Sequence, residues 1–209
     1  ATAGIAGNFA FDTEAEEPLA ALTREGKGVI LLSAHTGCWQ MGPQMLAGQT
    51  DLPVSVLVHK DAHDVDKQAH EHAGKAPPYD VIGAEDGPAA LVALMNLLRR
   101  GQLLCMMGDR LTGGSEPSVT VNFLGSPVRL PYLAYRLASA AGVPIAVCFS
   151  LRTRPCAGSL ILADVIRVPE GLGSKPEVYR LYAERYAAAL EAFVREHPYQ
   201  FFNFFNLWE

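Results

Sequence analysis

The 209-residue chain has only four cysteines, Cys38, Cys105, Cys148 and Cys156, and no two of them stand at Cys-x-x-Cys spacing. Neither a thiolate zinc site nor a disulfide framework is read from that spacing. Cys105 and Cys148 lie inside apolar runs and read as core residues, which makes a reducing, cytoplasmic setting the default. Positive charge is short as well. Lys and Arg number 17 against 22 Asp and Glu, a net charge of −5, so the chain offers no basic footprint for nucleic acid. No apolar run approaches the ~18 residues needed to span a bilayer, and the N-terminus lacks the basic-then-apolar pattern of a signal peptide. The chain begins at Ala1 rather than methionine, which leaves an anchor upstream of it open. Internal repeats and low-complexity linkers are also missing.

Hydrophobic residues make up 49% and charged residues 19%, a balance that suits a well-buried α/β protein and argues against disorder. The length supports one sizeable core. One domain over 1–209 is expected, with residues 1–27 as a helical lead-in and 197–209 as an aromatic tail.

The hydrophobic pattern alternates between strand and helix. A helix is expected from Thr13 to Arg24, capped by Asp12 or Thr13 and stopped at Gly26. A buried strand follows at Val29–Ser33, then a helix from Cys38 to Ala47 and a strand at Val54–Val58. A polar helix is expected from Asp61 to Ala73, a short strand at Tyr79–Ile82, and a helix from Pro88 to Arg100 that stops at Gly101. Leu103–Met107 is the next buried strand. After a Gly-rich loop over 109–118, Val119, Val121 and Phe123 alternate as a strand does. Pro131–Ala141 reads as a helix, Gly142–Phe149 as a buried strand, and Leu160–Val168 as its antiparallel neighbour. Pro176–Glu196 reads as an amphipathic helix with Tyr179, Tyr182, Tyr186, Leu190 and Phe193 on one stripe. The order implies an α/β fold whose central sheet is mainly parallel and flanked by helices.

The most informative stretch is Ala34-His35-Thr36-Gly37-Cys38-Trp39-Gln40. It places a histidine at the end of a buried strand, beside a turn glycine, where an imidazole is well placed for general-base work; the bland alternative is a histidine satisfied by backbone groups. Asp109 and Arg110 end the strand Leu103–Met107, either as ligand-contacting groups at a sheet edge or as a local ion pair. Lys60 follows Val58-His59 and opens a segment rich in His and acidic residues. Its spacing gives no zinc-like ligand set, and a solvated face is favoured over a metal site. In His197-Pro198-Tyr199-Gln200-Phe201-Phe202-Asn203-Phe204-Phe205-Asn206-Leu207-Trp208, the aromatic density calls for burial over the sheet or an acyl tunnel, with a membrane-interface belt as the alternative.

These four segments, taken in sequence order, resemble the bacterial lipid A biosynthesis acyltransferases of the lysophospholipid acyltransferase superfamily. The first is similar to the family's His-x4-acid motif, usually His-x-Gly-Asn-Trp-Glu, with Gln40 where the acid stands. The match at Asp109-Arg110 extends through Val121-Asn122-Phe123-Leu124-Gly125 to Pro127, Arg129 and Pro131. The terminal segment resembles His-Pro-x-Gln-Trp-x-Asn-Phe-x-x-x-Trp.

The resemblance implies transfer of a fatty acyl group from an acyl carrier protein or coenzyme A thioester to a hydroxyl of a lipid or glycolipid. His35 would act as general base, with Gln40 and Asp109 in the catalytic set and Trp39, Lys60, Arg110 and Arg129 binding substrate. Arg129 reads equally as a surface residue before Pro131. No metal and no cofactor beyond the thioester donor is implied, and no covalent enzyme intermediate. It also implies peripheral contact with the cytoplasmic face of the inner membrane. Glutamine at position 40 can hydrogen-bond to a ring but brings no negative charge. The second reading is therefore a weakly active or inactive acyl- or lipid-binding homologue; a metal-dependent hydrolase built on the His-rich segment is a distant third.

Overall fold

The computed structural model describes residues 10–13, 16–59, 77–111, 116–204 and 206–208. Its strands are β1 (Ala10–Thr13), β2 (Val29–Ser33), β3 (Val54–Val58), β4 (Asp80–Gly83), β5 (Leu103–Met107), β6 (Ser118–Phe123), β7 (Ser126–Pro131), β8 (Ile145–Arg154) and β9 (Ala157–Ile166). The helices are α1 (Glu16–Thr23), α2 (Gly42–Gln49), α3 (Pro88–Arg99), α4 (Leu133–Ala141) and α5 (Arg180–Glu196). Seven strands form one sheet in the order β1-β9-β8-β2-β5-β3-β4, and β6 and β7 form a separate hairpin. Every pairing in the large sheet is parallel except β8 with β9, so the mainly parallel α/β class is the one observed.

The run Val29-Ile30-Leu31-Leu32 has no polar position because its strand lies at mid-sheet with both faces covered. Alternate side chains go to opposite sides. Ile30, Leu32, Leu104, Met106, Ile145, Val147 and Phe149 join α3, α4, α5 and the hairpin in one core. Val29, Leu31, Val54, Leu103, Ala146 and Cys148 join Leu19 and Leu22 of α1 and Leu46 of α2 in the other.

Proline corrects several expected boundaries. A helix running from Thr13 would need an N–H from residue 18 for the carbonyl of residue 14, and Pro18 has none; α1 starts at Glu16, with Pro18 in its first turn. Ala10–Thr13, including the expected caps, is instead an edge strand pairing in parallel with β9, from Ala10 opposite Ala157 to Thr13 opposite Leu160. In the same way Pro43 prevents a continuous helix from Cys38. Trp39–Met41 forms a 3-10 turn and α2 begins at Gly42. Pro176–Tyr179 is likewise a 3-10 turn ahead of α5.

Pro131 ends a strand rather than starting a helix. Strand β7, with prolines at 127 and 131, went unread because proline argues against a strand interior; in a two-stranded ribbon each strand keeps a free edge, where proline is tolerated. Leu124 and Gly125 make the turn with φ of 51° and 86°, the two left-handed positions of a tight hairpin. The Leu124 N–H donates to Glu191 Oε2 at 2.7 Å, which ties this turn to α5. Lys60 and the expected Asp61–Ala73 helix lie outside the described residues.

Leu98 is fully buried in the larger core and its carbonyl accepts the Gly28 N–H at 3.1 Å. Leu98→Ala is expected to lower stability by about 2–5 kcal/mol, read as a shift in urea midpoint with an unchanged slope.

Candidate functional site

The register of the sheet fixes where the site forms. Parallel pairing sets Ser33 of β2 opposite Met107 of β5. His35 and Asp109 each lie two residues further on, so they leave the sheet side by side at the carboxyl ends of neighbouring strands, the usual place for ligand-contacting groups in open α/β sheets. The Gly108 N–H continues the ladder by donating to the Ser33 carbonyl at 2.9 Å. A Cβ on Gly108 would lie 2.8 Å from Leu32 Cδ1 and 3.1 Å from the Tyr186 ring, so only glycine lets the chain pass there.

Asp109 is 1% exposed and His35 7%. His35 Nδ1 lies 2.9 Å from both carboxylate oxygens. The His35 backbone N–H donates to Oδ2 at 3.2 Å, and Asn203 Nδ2 donates to the same oxygen at 3.3 Å. An ionised carboxylate only accepts, so the proton sits on Nδ1 and Nε2 keeps its lone pair. Arg110 Nη2 donates onto that Nε2. The ring is thus held at one nitrogen by an anion and at the other by a cation.

Trp39 packs edge-on against the imidazole with ring centroids 4.7 Å apart. Below the pair, the fully buried Tyr186 hydroxyl donates to the Ser33 carbonyl at 2.9 Å. Burial, aided by the Asp109 charge and by Tyr135, raises its pKa well above the usual phenol value, so Tyr186 stays a protonated donor. Burial likewise pushes the Cys38 thiol up, opposing thiolate chemistry beside His35.

Of the residues expected in the site, His35, Trp39, Asp109 and Arg110 come together. Gln40 is exposed on the 3-10 turn that follows, while the carboxylate at the ring is Asp109's. Arg129 is exposed on the hairpin, where its Nε and Nη2 donate to Ser118 Oγ at 3.0 and 2.8 Å. Lys60 lies outside the described residues. Asn203 was not anticipated as a site residue. The available signal was one amide amid phenylalanines, since a polar group in a segment that must be buried needs a partner.

The family model described as bacterial lipid A biosynthesis acyltransferase matches residues 8–209. The chain belongs to that family. No curated protein matches it. Membership of the lipid A acyltransferases implies transfer of an acyl group to a lipid, with an acyl donor and a lipid acceptor as substrates. Among the described residues no group of three His, Cys, Asp or Glu side chains is arranged to hold a metal ion, and no helix is long and apolar enough to cross a membrane.

The turn carrying His35 depends on Gly37, whose φ is +51° and whose added Cβ would lie 2.3 Å from the Ser150 carbonyl oxygen. Backbone atoms on β8 cannot move aside without breaking the sheet. Gly37→Ala is expected to cost about 2–4 kcal/mol, seen as a large fall in Tm, and an unchanged Tm would mean that the turn is not packed against β8.

Proposed function

We propose that this family member transfers a fatty acyl group from an acyl carrier protein or coenzyme A thioester to a hydroxyl of a lipid or glycolipid, with His35 as general base. The observation that carries this reading is the buried His35–Asp109 pair at 2.9 Å, which leaves Nε2 as the basic nitrogen. The acceptor hydroxyl gives its proton to Nε2 as its oxygen attacks the thioester carbonyl. A C–O bond forms, the C–S bond breaks, and the proton passes from the imidazolium to the departing thiolate. Asp109 stabilises the imidazolium between those two transfers.

Arg110 has a part in both halves. Resting on Nε2, it enforces the tautomer that the reaction needs. The incoming hydroxyl takes over its place on the nitrogen, and the released guanidinium is then close to the carbonyl oxygen on which negative charge develops.

In this reading the glutamine at position 40 does not deprive the histidine of a carboxylate, because Asp109 supplies one from the adjoining strand. That favours the active enzyme over a binding-only homologue. His35→Ala is expected to abolish transfer without unfolding the protein, and Asp109→Asn to lower turnover on the order of 10⁴-fold, as when a triad carboxylate becomes an amide. Gln40→Glu is expected to change turnover by less than about threefold, since an exposed charge acts through high dielectric. The assay is mass spectrometry of lipids after incubation with a panel of acyl-carrier-protein and acyl-CoA thioesters. Full turnover in His35→Ala would refute the general-base role.

The acceptor resides in a bilayer, and the protein meets it peripherally in this reading. Tyr199 and Phe204 are 94% and 90% exposed, and Trp208 is 46% exposed, all on the segment beside the His35 turn. Such aromatics suit the headgroup region. The net charge of −5 makes a purely electrostatic attachment to anionic lipid unfavourable. Flotation with phosphatidylethanolamine–phosphatidylglycerol vesicles should recover part of the protein, insensitive to salt, and Phe204→Ser with Trp208→Ser should abolish recovery. Binding that salt alone reverses would contradict this contact.

A further inference from the structure

The segment after α5 has no part in the proton transfers above, yet it is bonded to the residue that carries the base. Thr36 and Phe201 form an antiparallel bridge, the Phe202 N–H donates to the His35 carbonyl at 2.8 Å, and the Gly37 N–H donates to the Gln200 carbonyl at 2.9 Å. The Gln200 side chain binds both main-chain groups of Arg152 on β8: Oε1 accepts the N–H at 2.7 Å, and Nε2 donates to the carbonyl at 3.3 Å. Phe201 packs edge-on against Phe123 of the hairpin, with centroids 6.0 Å apart. Residues 200–203 are therefore a strap fastened to β8, to the hairpin and to the His35 turn.

From this strap Asn203 reaches Asp109 Oδ2. Only the N–H end of an amide can face a carboxylate, so the orientation of the side chain is settled. Its Oδ1 is then sealed from solvent with no hydrogen-bond partner among the described residues. A buried unsatisfied carbonyl is unfavourable, and an apolar residue among the neighbouring phenylalanines would avoid it. What the amide provides in return is a donor to the carboxylate. Oδ2 takes the His35 N–H and the Asn203 N–H together, so turning the carboxylate away from the ring breaks two bonds rather than one.

We propose that Asn203 is a positioning residue for the His35–Asp109 pair, fixing the carboxylate in the orientation that receives Nδ1–H and stabilises the imidazolium. The proposal rests on the reading of His35 as the base in acyl transfer. Among the described residues, the other charged or titratable groups at the pair are Arg110, on Nε2, and the Tyr186 phenol below.

The test uses the full chain with ¹⁵N-labelled histidine, because the ring signals of His35 are read without substrate. Asn203→Leu keeps much of the side chain's bulk and removes the amide donor without adding charge. The His35 Nδ1–H signal is expected to exchange with water about tenfold faster in this variant, because a carboxylate free to turn releases that hydrogen. Asn203→Ala is expected to lower kcat for acyl-CoA thiol release in the presence of lipid acceptor about tenfold, with KM changed less than about twofold. A residue that only braces the fold would reduce the yield of folded protein and leave both the Nδ1–H exchange and the turnover of each folded molecule unchanged. That result overturns the proposal. If the parent chain transfers no acyl group, the reading of function fails alone, and the His35 Nδ1–H exchange in Asn203→Leu still decides the positioning role.

Discussion

A carboxylate with almost no access to water has to find its stabilisation in the protein, and Asp109 finds it in three N–H donors: the imidazole and backbone of His35 and the amide of Asn203. Leaving a buried charge without partners is destabilising by about 3–5 kcal/mol. Much of the local structure answers to that requirement. The β2–β5 register brings the two strand ends level, Gly108 lets the chain pass Leu32 and Tyr186, and the strap after α5 supplies the third donor. Arg110 supplies the opposite charge from the far side of the ring.

Three of the four cysteines are quenched as nucleophiles by burial. Cys105 lies within the sheet and its thiol is pushed up to about 12, and Cys148 is pushed higher still. Cys38, closest in sequence to His35, is also raised. None of these three thiols ionises readily, which argues against a covalent thiol relay at the site.

The sheet, His35 and the Asp109-Arg110 pair were legible in the sequence because each is signalled locally: an uninterrupted aliphatic run marks a central strand, and a polar group just past its end marks a sheet-edge site. The features that escaped are those decided through space. Residues 10–13 become a strand because β9 has an edge to offer, and β7 survives its prolines because the hairpin is two strands wide. Counting along the chain directed attention to Gln40 as the partner of the base, whereas the parallel pairing of β2 with β5 delivers Asp109 from 74 residues away. Asn203 escaped for the same reason. Its partner is 94 residues distant, and the pattern of aromatics around it advertised burial rather than polarity.

The two side chains that hold the imidazole are successive residues, Asp109 on one nitrogen and Arg110 on the other. A half-turn of the ring about its Cβ–Cγ bond would present carbon to both of them, so the ring has a single rotational state in which both neighbours are satisfied. Because the two holders share one stretch of backbone, any shift of the strand end carries anion and cation together and preserves the alignment of the ring between them. The imidazole consequently keeps one facing, with Nδ1 toward the carboxylate and Nε2 toward the guanidinium.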